Sequence, residues 1–337
     1  MRTRPLRCRI LWVGLFLGGC ATKPLPQAEP KIEAALPAPR VEKFREPLEV
    51  TPLELHFSGL RGAVQASESV AIKNTSNDAV QVSDIRVVGA NATTFKIVNV
   101  PLLPMVLSPG SSFSFSVGFE PGEKADPGVH HARVRVVRSE DDDGPPCDLT
   151  GLVTKSGNPA DEPPLQQILE ALGYDVDVGG TSLTLPAKAA GDEVRAPLFQ
   201  RAKPGSVGFY LIARYTADEE TSFGYYTIEA GKPVGKAIGS VAKRHHQMIN
   251  PELEGDSQTS FDPGEVIFGL YLKTAKQRFY SDDRLNAGTH KHVAKAYPLR
   301  SRGHNAVQDA YVVAFDEDAD GDYQDHVFML WNVKPAR

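Results

Sequence analysis

Hydrophobic and polar residues alternate along much of the chain, in short runs separated by turn residues. Between 48 and 154 the alternation is plain in Leu53-Glu54-Leu55-His56-Phe57, Ser69-Val70-Ala71-Ile72-Lys73, Phe113-Ser114-Phe115-Ser116-Val117 and Ala132-Arg133-Val134-Arg135-Val136. A period of two predicts strands that bury one face, and about a hundred residues of them make one antiparallel sandwich. Strand-like runs return at 207–215, 223–228, 266–273, 292–299, 310–315 and 327–333, predicting a second, larger, jelly-roll-like β-sandwich. One short helix is predicted between them. Leu165, Ile168, Leu169 and Leu172 share a face at helical spacing, Pro164 suits its first position and Gly173 its C-terminal cap. This helix is expected to lie as a lid on the larger sandwich. The predicted class is therefore all-β, with one short helix.

The pattern fails in three places. Residues 21–47 are rich in Pro, Ala, Glu and Lys and bury little, which predicts an extended tether. Residues 155–164, with Gly157, Pro159, Pro163 and Pro164, form a second linker. At the N-terminus, Arg2, Arg4, Arg7 and Arg9 precede an apolar run over 10–17 that is too short to cross a hydrocarbon core of about 30 Å. A basic start, a short apolar stretch and small residues after it make a secretory signal peptide. The closing Leu17-Gly18-Gly19-Cys20 resembles the bacterial lipoprotein signal. That resemblance implies cleavage before Cys20 and acylation of its thiol and amino group, including by palmitate. It also implies an anchor in which each buried methylene contributes roughly 0.8 kcal/mol. Ala21 after the cysteine implies outer-membrane sorting. The expected organisation is a signal peptide over 1–19, a lipidated Cys20 and tether over 20–47, an immunoglobulin-like domain over 48–154, a linker over 155–164 and a larger β-domain over 165–337.

Charge and cysteines narrow the function. The formal net charge is -5, and loss of the four leader arginines takes the mature chain to -9, a poor balance for nucleic-acid binding. Of the three cysteines, Cys8 lies in the leader and Cys20 is the lipid site, so Cys147 has no intramolecular partner and disulfides do not hold the fold. Between Pro146 and Asp148 it lacks an electropositive setting and reads as a small buried hydrophobe.

The strongest chemical signal is Asp316-Glu317-Asp318-Ala319-Asp320-Gly321-Asp322-Tyr323-Gln324-Asp325. Alternate carboxylates around a glycine turn suit calcium, which takes six to eight oxygen ligands. The loop is not an EF-hand: its twelfth position is Val327, and strand-like runs flank it. Asp316, Asp318, Asp320, Asp322 and Asp325 are the candidate ligands, with Asp283 and Asn286 as possible additions from elsewhere. The alternative is a solvated acidic turn, in which five aspartates within ten residues repel without a counterion.

Two family resemblances add expectations. Asn74-Thr75-Ser76, Leu107-Ser108-Pro109-Gly110, Phe119-Glu120-Pro121 and Leu149-Thr150-Gly151 resemble the ASH, or choice-of-anchor D, immunoglobulin-like domains. That implies a structural and interaction module without catalysis. Over about 205–335, Phe315-Asp316, Asp320-Gly321-Asp322-Tyr323-Gln324-Asp325, Phe268-Gly269-Leu270-Tyr271-Leu272 and Tyr280-Ser281-Asp282-Asp283-Arg284-Leu285-Asn286 resemble the DUF4114-like family of bacterial secreted domains, of unknown function. That family usually carries glutamate where this chain has Asp316. The resemblance implies a cation-stabilised β-domain and no known reaction.

Catalytic patterns are weaker. His290 and His292 alternate as zinc ligands on a strand would, but H-E-x-x-H is absent. Gly205-Ser206-Val207-Gly208 lacks the G-x-S-x-G elbow. The reading is a non-enzymatic cell-envelope lipoprotein, calcium-dependent, that binds or scaffolds glycan or protein. An envelope hydrolase of polysaccharide or peptidoglycan, using paired carboxylates near the acidic loop, is its alternative.

Overall fold

The computed structural model describes residues 46–63, 67–139, 142–179, 190–195, 198–318 and 320–336, and residues 46–337 form one compact unit. Cys20, the leader and most of the tether lie outside the described residues. The chain is all-β, with a single α-helix among the described residues.

The first sandwich has the strand arrangement of an immunoglobulin-like domain. One sheet runs in the order Leu48–Thr51, Glu68–Asn74, Ser112–Phe119, Phe95–Val98. The other joins Asp84–Val88, Gly128–Ser139 and Cys147–Thr154, with Glu54–Leu60 added in parallel to the last of these. In chain order these are the ABED and CFG sheets of that fold. The alternating residues bury as the pattern requires: Val70, Ile72, Phe115, Val117, Val134 and Val136 face inward around the ring cluster Phe57, Phe95 and Phe119. The motif residues hold one another. Asn74 donates from its amide to the Asp78 and Leu107 carbonyls at 2.8 and 2.9 Å, and accepts from the Ser76 amide at 2.9 Å. Gly151 lies against the Phe119 ring, where any Cβ would collide with it. Cys147 is fully buried, and burial pushes its thiol up to about 12, so it packs as an apolar side chain.

The larger sandwich pairs a sheet ordered Met248–Ile249, Val207–Arg214, His326–Trp331, Asn305–Phe315, Ala294–Ser301 with a four-stranded sheet ordered Lys232–Val241, Thr221–Glu229, Gly269–Lys273, Arg278–Tyr280. Phe209, Phe223, Phe268, Phe315 and Phe328 fill the space between them. The first of these sheets is covered on its other face too, which explains why Tyr311 to Phe315 and Val327 to Leu330 read as continuous apolar runs rather than alternating ones.

The covering element is the helix Leu165–Ala171. Pro164 stands at its N-cap rather than its first turn, and Gly173, at φ +80°, ends it, with the Tyr174 amide returning to the Leu169 carbonyl at 2.8 Å. Its face of Leu165, Ile168 and Leu169 packs against Ile212, Leu299, Val312 and Met329 of the larger sandwich, and against Leu152 of the first. It is more than a lid, since one apolar cluster binds both sandwiches to it. His56 Nδ1 to the Ala171 carbonyl at 2.7 Å and the Ile249 amide to Ser58 Oγ at 3.0 Å extend that junction.

Candidate functional site: the acidic loop

Antiparallel pairing of Phe315 with His326 leaves residues 316–325 as the connection between two neighbouring strands, as the sequence implies. Phe315 is driven into the core, so the next carboxylate, Asp316, is carried inside with it and is 0% exposed. Its Oδ2 accepts from the Gly321 amide at 2.9 Å and lies 3.4 Å from His290 Nε2. Gly321, at φ +90°, supplies a turn that other residues adopt at a cost. Tyr323 also takes a left-handed backbone, φ +57°, which turns its ring inward and lets its hydroxyl donate to the His292 carbonyl at 2.7 Å. Left-handed backbone at a bulky residue is costly and persists where the surroundings enforce it.

Asp325 is buried at the other end of the loop, where its carboxylate accepts from the Glu317 amide at 2.5 Å. Glu317 itself is turned inward. Thr216 donates to its Oε1, its buried Oε2 has no hydrogen-bond partner, and that atom lies 3.9 Å from His326 Nδ1. Asp322 accepts from the side chain of Gln324, whose Nε2 also reaches Glu162 at 3.0 Å. Asp318 and Asp320 are exposed.

Burial and mutual repulsion act together here. Burial first, then Asp320, pushes Asp322 up to about 8. Burial also raises Glu317 to about 7, and it drives Asp325 well above the usual carboxylate range with Glu317 and Asp322 adding to the effect. Glu162 is raised by burial and by Asp320 and Asp318, against the hydrogen bonds from Gln247 and Gln324. Two buried cations stand nearby: Lys295 sets its ammonium 4.2 Å over the Tyr323 ring, and Arg214, 0% exposed, spends its guanidinium on the carbonyls of Ala242 at 2.9 Å, His245 at 3.4 Å, Ala217 at 3.3 Å and Glu219. Burial and then Arg214 hold His326 well below the usual imidazole range, so it stays neutral and meets Thr221 Oγ1 at 2.8 Å.

The donor chemistry fits a hard cation. Asp316, Asp322, Asp325, the unpartnered Glu317 Oε2 and the unpartnered Gln324 Oε1 are all oxygen donors in or beside one loop. Among the described residues, however, no three His, Cys, Asp or Glu side chains are gathered closely enough to share one metal ion. The two additional candidates stand apart from this set. Asp283 pairs with His292 at 3.0 Å. Asn286 lines a cavity of about 270 Å³ beside Asp316 and Glu317, but its amide is engaged by the Tyr280 amide and the Tyr280 and Lys291 carbonyls at 2.8 to 2.9 Å. His290 and His292 diverge, one toward Asp316 and the other between Asp283 and Glu193. Glu162, Gln324 and Glu317 join the site without having been singled out as ligands. Glu317 is in the acidic run itself, while Glu162 sits in a proline-rich linker that carries no signal of burial.

No family model matches the chain, and no curated protein matches it. Solved structures match only loosely. The ASH/PapD-like domain 7 of human CEP192 is 12% identical, covering 38% of this chain and 99% of that one, with a TM-score of 0.23. The E. coli chaperone DraB is 11% identical over 77% of this chain and 93% of that one, TM-score 0.26. A family 123 glycoside hydrolase from Clostridium perfringens is 12% identical over 34% of this chain, TM-score 0.25, and the chain spans only 24% of that hydrolase. At these scores the likenesses carry no statement about activity, substrate or partner.

Proposed function

We propose that this chain is a non-enzymatic cell-envelope lipoprotein, held to the outer membrane through acylated Cys20, whose larger sandwich is a calcium-dependent binding or scaffold module for glycan or envelope protein. The observation that carries the reading is a buried carboxylate oxygen, Glu317 Oε2, left without a partner in a loop where Asp322 and Asp325 are already pushed toward their protonated forms. Buried carboxylates need protons, donors or a cation, and a divalent cation supplies the counter-charge without protonation. Asp316, Asp322 and Asp325, which are not gathered closely enough here to share one ion, would have to draw together around it, with Glu317 and Gln324 as the neighbouring oxygen donors and Asp318 and Asp320 at the exposed rim. Calcium bound there would fix the loop between its two strands and so define the surface offered to a partner. The acidic net charge argues against nucleic acid, and the lack of H-E-x-x-H and G-x-S-x-G patterns leaves catalysis without a motif.

Thermal melts in calcium and in EGTA test the cation, with a higher midpoint expected in calcium and identical curves overturning the reading. Metabolic labelling with a palmitate analogue tests the anchor: label is expected on the wild-type chain and none on Cys20→Ala. A glycan array and a pull-down from envelope fractions, each with and without calcium, then identify the partner.

A further inference from the structure

One exposed stretch of the first sandwich is apolar on both of its sides. It reads Val100-Pro101-Leu102-Leu103-Pro104-Met105-Val106, and it runs from the loop after the strand Phe95–Val98 into the strand Met105–Leu107, which pairs with Val80–Val82. Leu103 and Met105 turn inward and pack on the core. The alternate positions have no such reason to be apolar: Leu102 is 92% exposed, Val106 63% and Val100 38%, with Pro104 exposed between them. In a loop that meets water these are the places for polar side chains, and apolar residues gathered there mark a surface that something covers.

No charged residue occurs between Lys96 and Glu120, so the stretch can leave water without desolvating a charge of its own. Pro101 and Pro104 carry no N–H, which removes two backbone donors that an apolar medium would leave unpaired. Its place in the fold is equally specific. The Asn74 side-chain amide donates to the Leu107 carbonyl at 2.9 Å, and the backbone amide of the next residue, Thr75, donates to the Pro47 carbonyl at 2.9 Å. The apolar stretch therefore ends beside Glu46 and Pro47, where the residues leading back to Cys20 join the sandwich. The larger sandwich is joined at the opposite end. Leu152, which packs into that junction, pairs with Val129 at the start of the strand Gly128–Ser139, whereas Arg138, at the strand's finish, reaches Glu46 at 3.2 Å.

We propose that Val100, Leu102, Pro104 and Val106 dip into the headgroup boundary of the bilayer, seating this end of the first sandwich on the membrane and holding the larger sandwich, with its acidic loop, away from it. The proposal rests on the lipoprotein reading for its location, because an anchor at Cys20 keeps this end of the chain at a lipid surface. A second copy or a protein partner would cover apolar groups equally well anywhere on the molecule, and the coincidence of the patch with the anchored end is what selects the membrane. The anchor supplies retention and the patch supplies orientation. Once the chain is tethered, the second contact is intramolecular, so a few side chains suffice where they would bind weakly alone. Interfacial apolar groups sit about 5–10 Å deep, which covers side chains that project from one loop.

The test uses residues 20–337, made without the leader and so without acyl chains, coupled through the Cys20 thiol to a maleimide-headgroup lipid in phosphatidylethanolamine–phosphatidylglycerol vesicles. Cys147 is buried and stays unreacted. The coupling places the chain on a bilayer whether or not Cys20 is acylated in the cell, so failure of the lipoprotein reading, seen by palmitate labelling, is distinct from failure of this one. Trp331→Phe removes the one tryptophan of residues 20–337, and Leu102→Trp or Ile228→Trp then supplies a single reporter at an exposed apolar position of the first or the larger sandwich. With brominated acyl chains in the vesicles, Leu102→Trp emission is expected to shift to the blue and to be quenched about twofold or more, while Ile228→Trp stays unquenched. Val106→Ser, at an exposed position where no packing is lost, should weaken the quenching of Leu102→Trp. Equal quenching at the two reporters, no quenching at Leu102→Trp, or quenching unmoved by Val106→Ser would overturn the proposal. So would Leu102→Trp emission already shifted to the blue before coupling, which would mean that residues 20–45 or a second copy cover the patch.

Discussion

The two sandwiches are built on the same principle of facing sheets, yet they treat charge in opposite ways. In the first, the buried polar residues are neutral, with Asn74, Thr94 and Thr150 hydrogen-bonded through their side chains and His130 reaching the Asp126 carbonyl at 2.8 Å, and its ion pairs stay near the surface, as Arg133 with Asp148. In the larger one, Arg214, Glu193, Lys295, Asp316 and Asp325 are all buried. Desolvating a charge costs free energy that folding alone does not require, since an apolar residue of the same size packs as well. The first sandwich follows the rule for a spacer, and the second departs from it around one loop and the strands beside it. That departure locates the chemistry of the chain.

The contrast is broken most severely at arginine. Arg214→Ala removes four contacts from a buried guanidinium to the backbone carbonyls of Ala217, Glu219, Ala242 and His245. The expected loss is about 3–5 kcal/mol of stability in chemical denaturation, the scale of breaking one side of a buried charged network. Arg133→Ala, which removes a surface pair with Asp148, should cost less than about 1 kcal/mol. Equal losses would mean that the two sandwiches do not differ in the way described.

Calcium should sharpen the difference next. An ion that binds only the folded state stabilises it by about 2.7 kcal/mol at a hundredfold excess over Kd. Asp320→Ala or Asp322→Ala should remove most of that gain, and magnesium should give less of it because it keeps a smaller, octahedral shell. Asp143→Ala, in the acidic run of the first sandwich, should leave the response intact. A calcium response that survives Asp322→Ala and vanishes in Asp143→Ala would place the ion in the wrong sandwich.

The same carboxylates predict a pH dependence. Asp322 and Glu317 are raised to about 8 and about 7, so the folded chain binds more protons than the unfolded one between the ordinary carboxylate range and those values. Stability in EGTA should therefore fall as pH rises from about 4 toward 8, and calcium should flatten that fall by stabilising the ionised forms. His292 adds a contribution of its own. With a pKa raised to about 9, it gives stability that is full below the unfolded value of about 6.5 and lost as pH rises through 9, and His292→Gln should remove the upper part of the slope. Melting midpoints across pH 4 to 10 in EGTA and in calcium check both.

How much of this was legible depended on what lay beyond each strand. Where a strand of the first sandwich has one face in water, the alternation of Ser69 to Lys73 or Ala132 to Val136 states which side chains are inside, and the structure follows it. Lys295 obeys the same alternation and misleads it: it points away from the inter-sheet core, as a charged residue should, but there its ammonium meets the Tyr323 ring rather than water. Arg214 follows a bulge that sets Ala213 and Tyr215 on the helix-covered face, and its guanidinium is taken up by the carbonyls of Ala217, Glu219, Ala242 and His245. A charge inside an otherwise apolar run, as Arg214 is at the end of Val207 to Ala213, was the available signal. The acidic loop was visible because five aspartates and a glutamate in one turn have few structural uses. Its partner Glu162 was not, since nothing in a proline-rich linker specifies that it folds back onto Gln247 and Gln324.

The smallest expected effect belongs to Cys147. It is the single cysteine of the first sandwich, fully buried at the start of the strand Cys147–Thr154, with its thiol raised to about 12 by burial, then by Asp148 and Glu54. Almost no thiolate exists at neutral pH, and the thiolate is the reactive form, so native alkylation by iodoacetamide should be negligible until the sandwich unfolds. Reductant should leave the melting curve unmoved, because no disulfide is available to it. Cys147→Ala should cost about 1 kcal/mol, the scale for deleting one small buried group, and should leave the calcium response of the larger sandwich unchanged. A thiol that alkylates in the folded chain, or a melt that shifts with reductant, would give the first sandwich a chemistry of its own and end its description as an inert spacer.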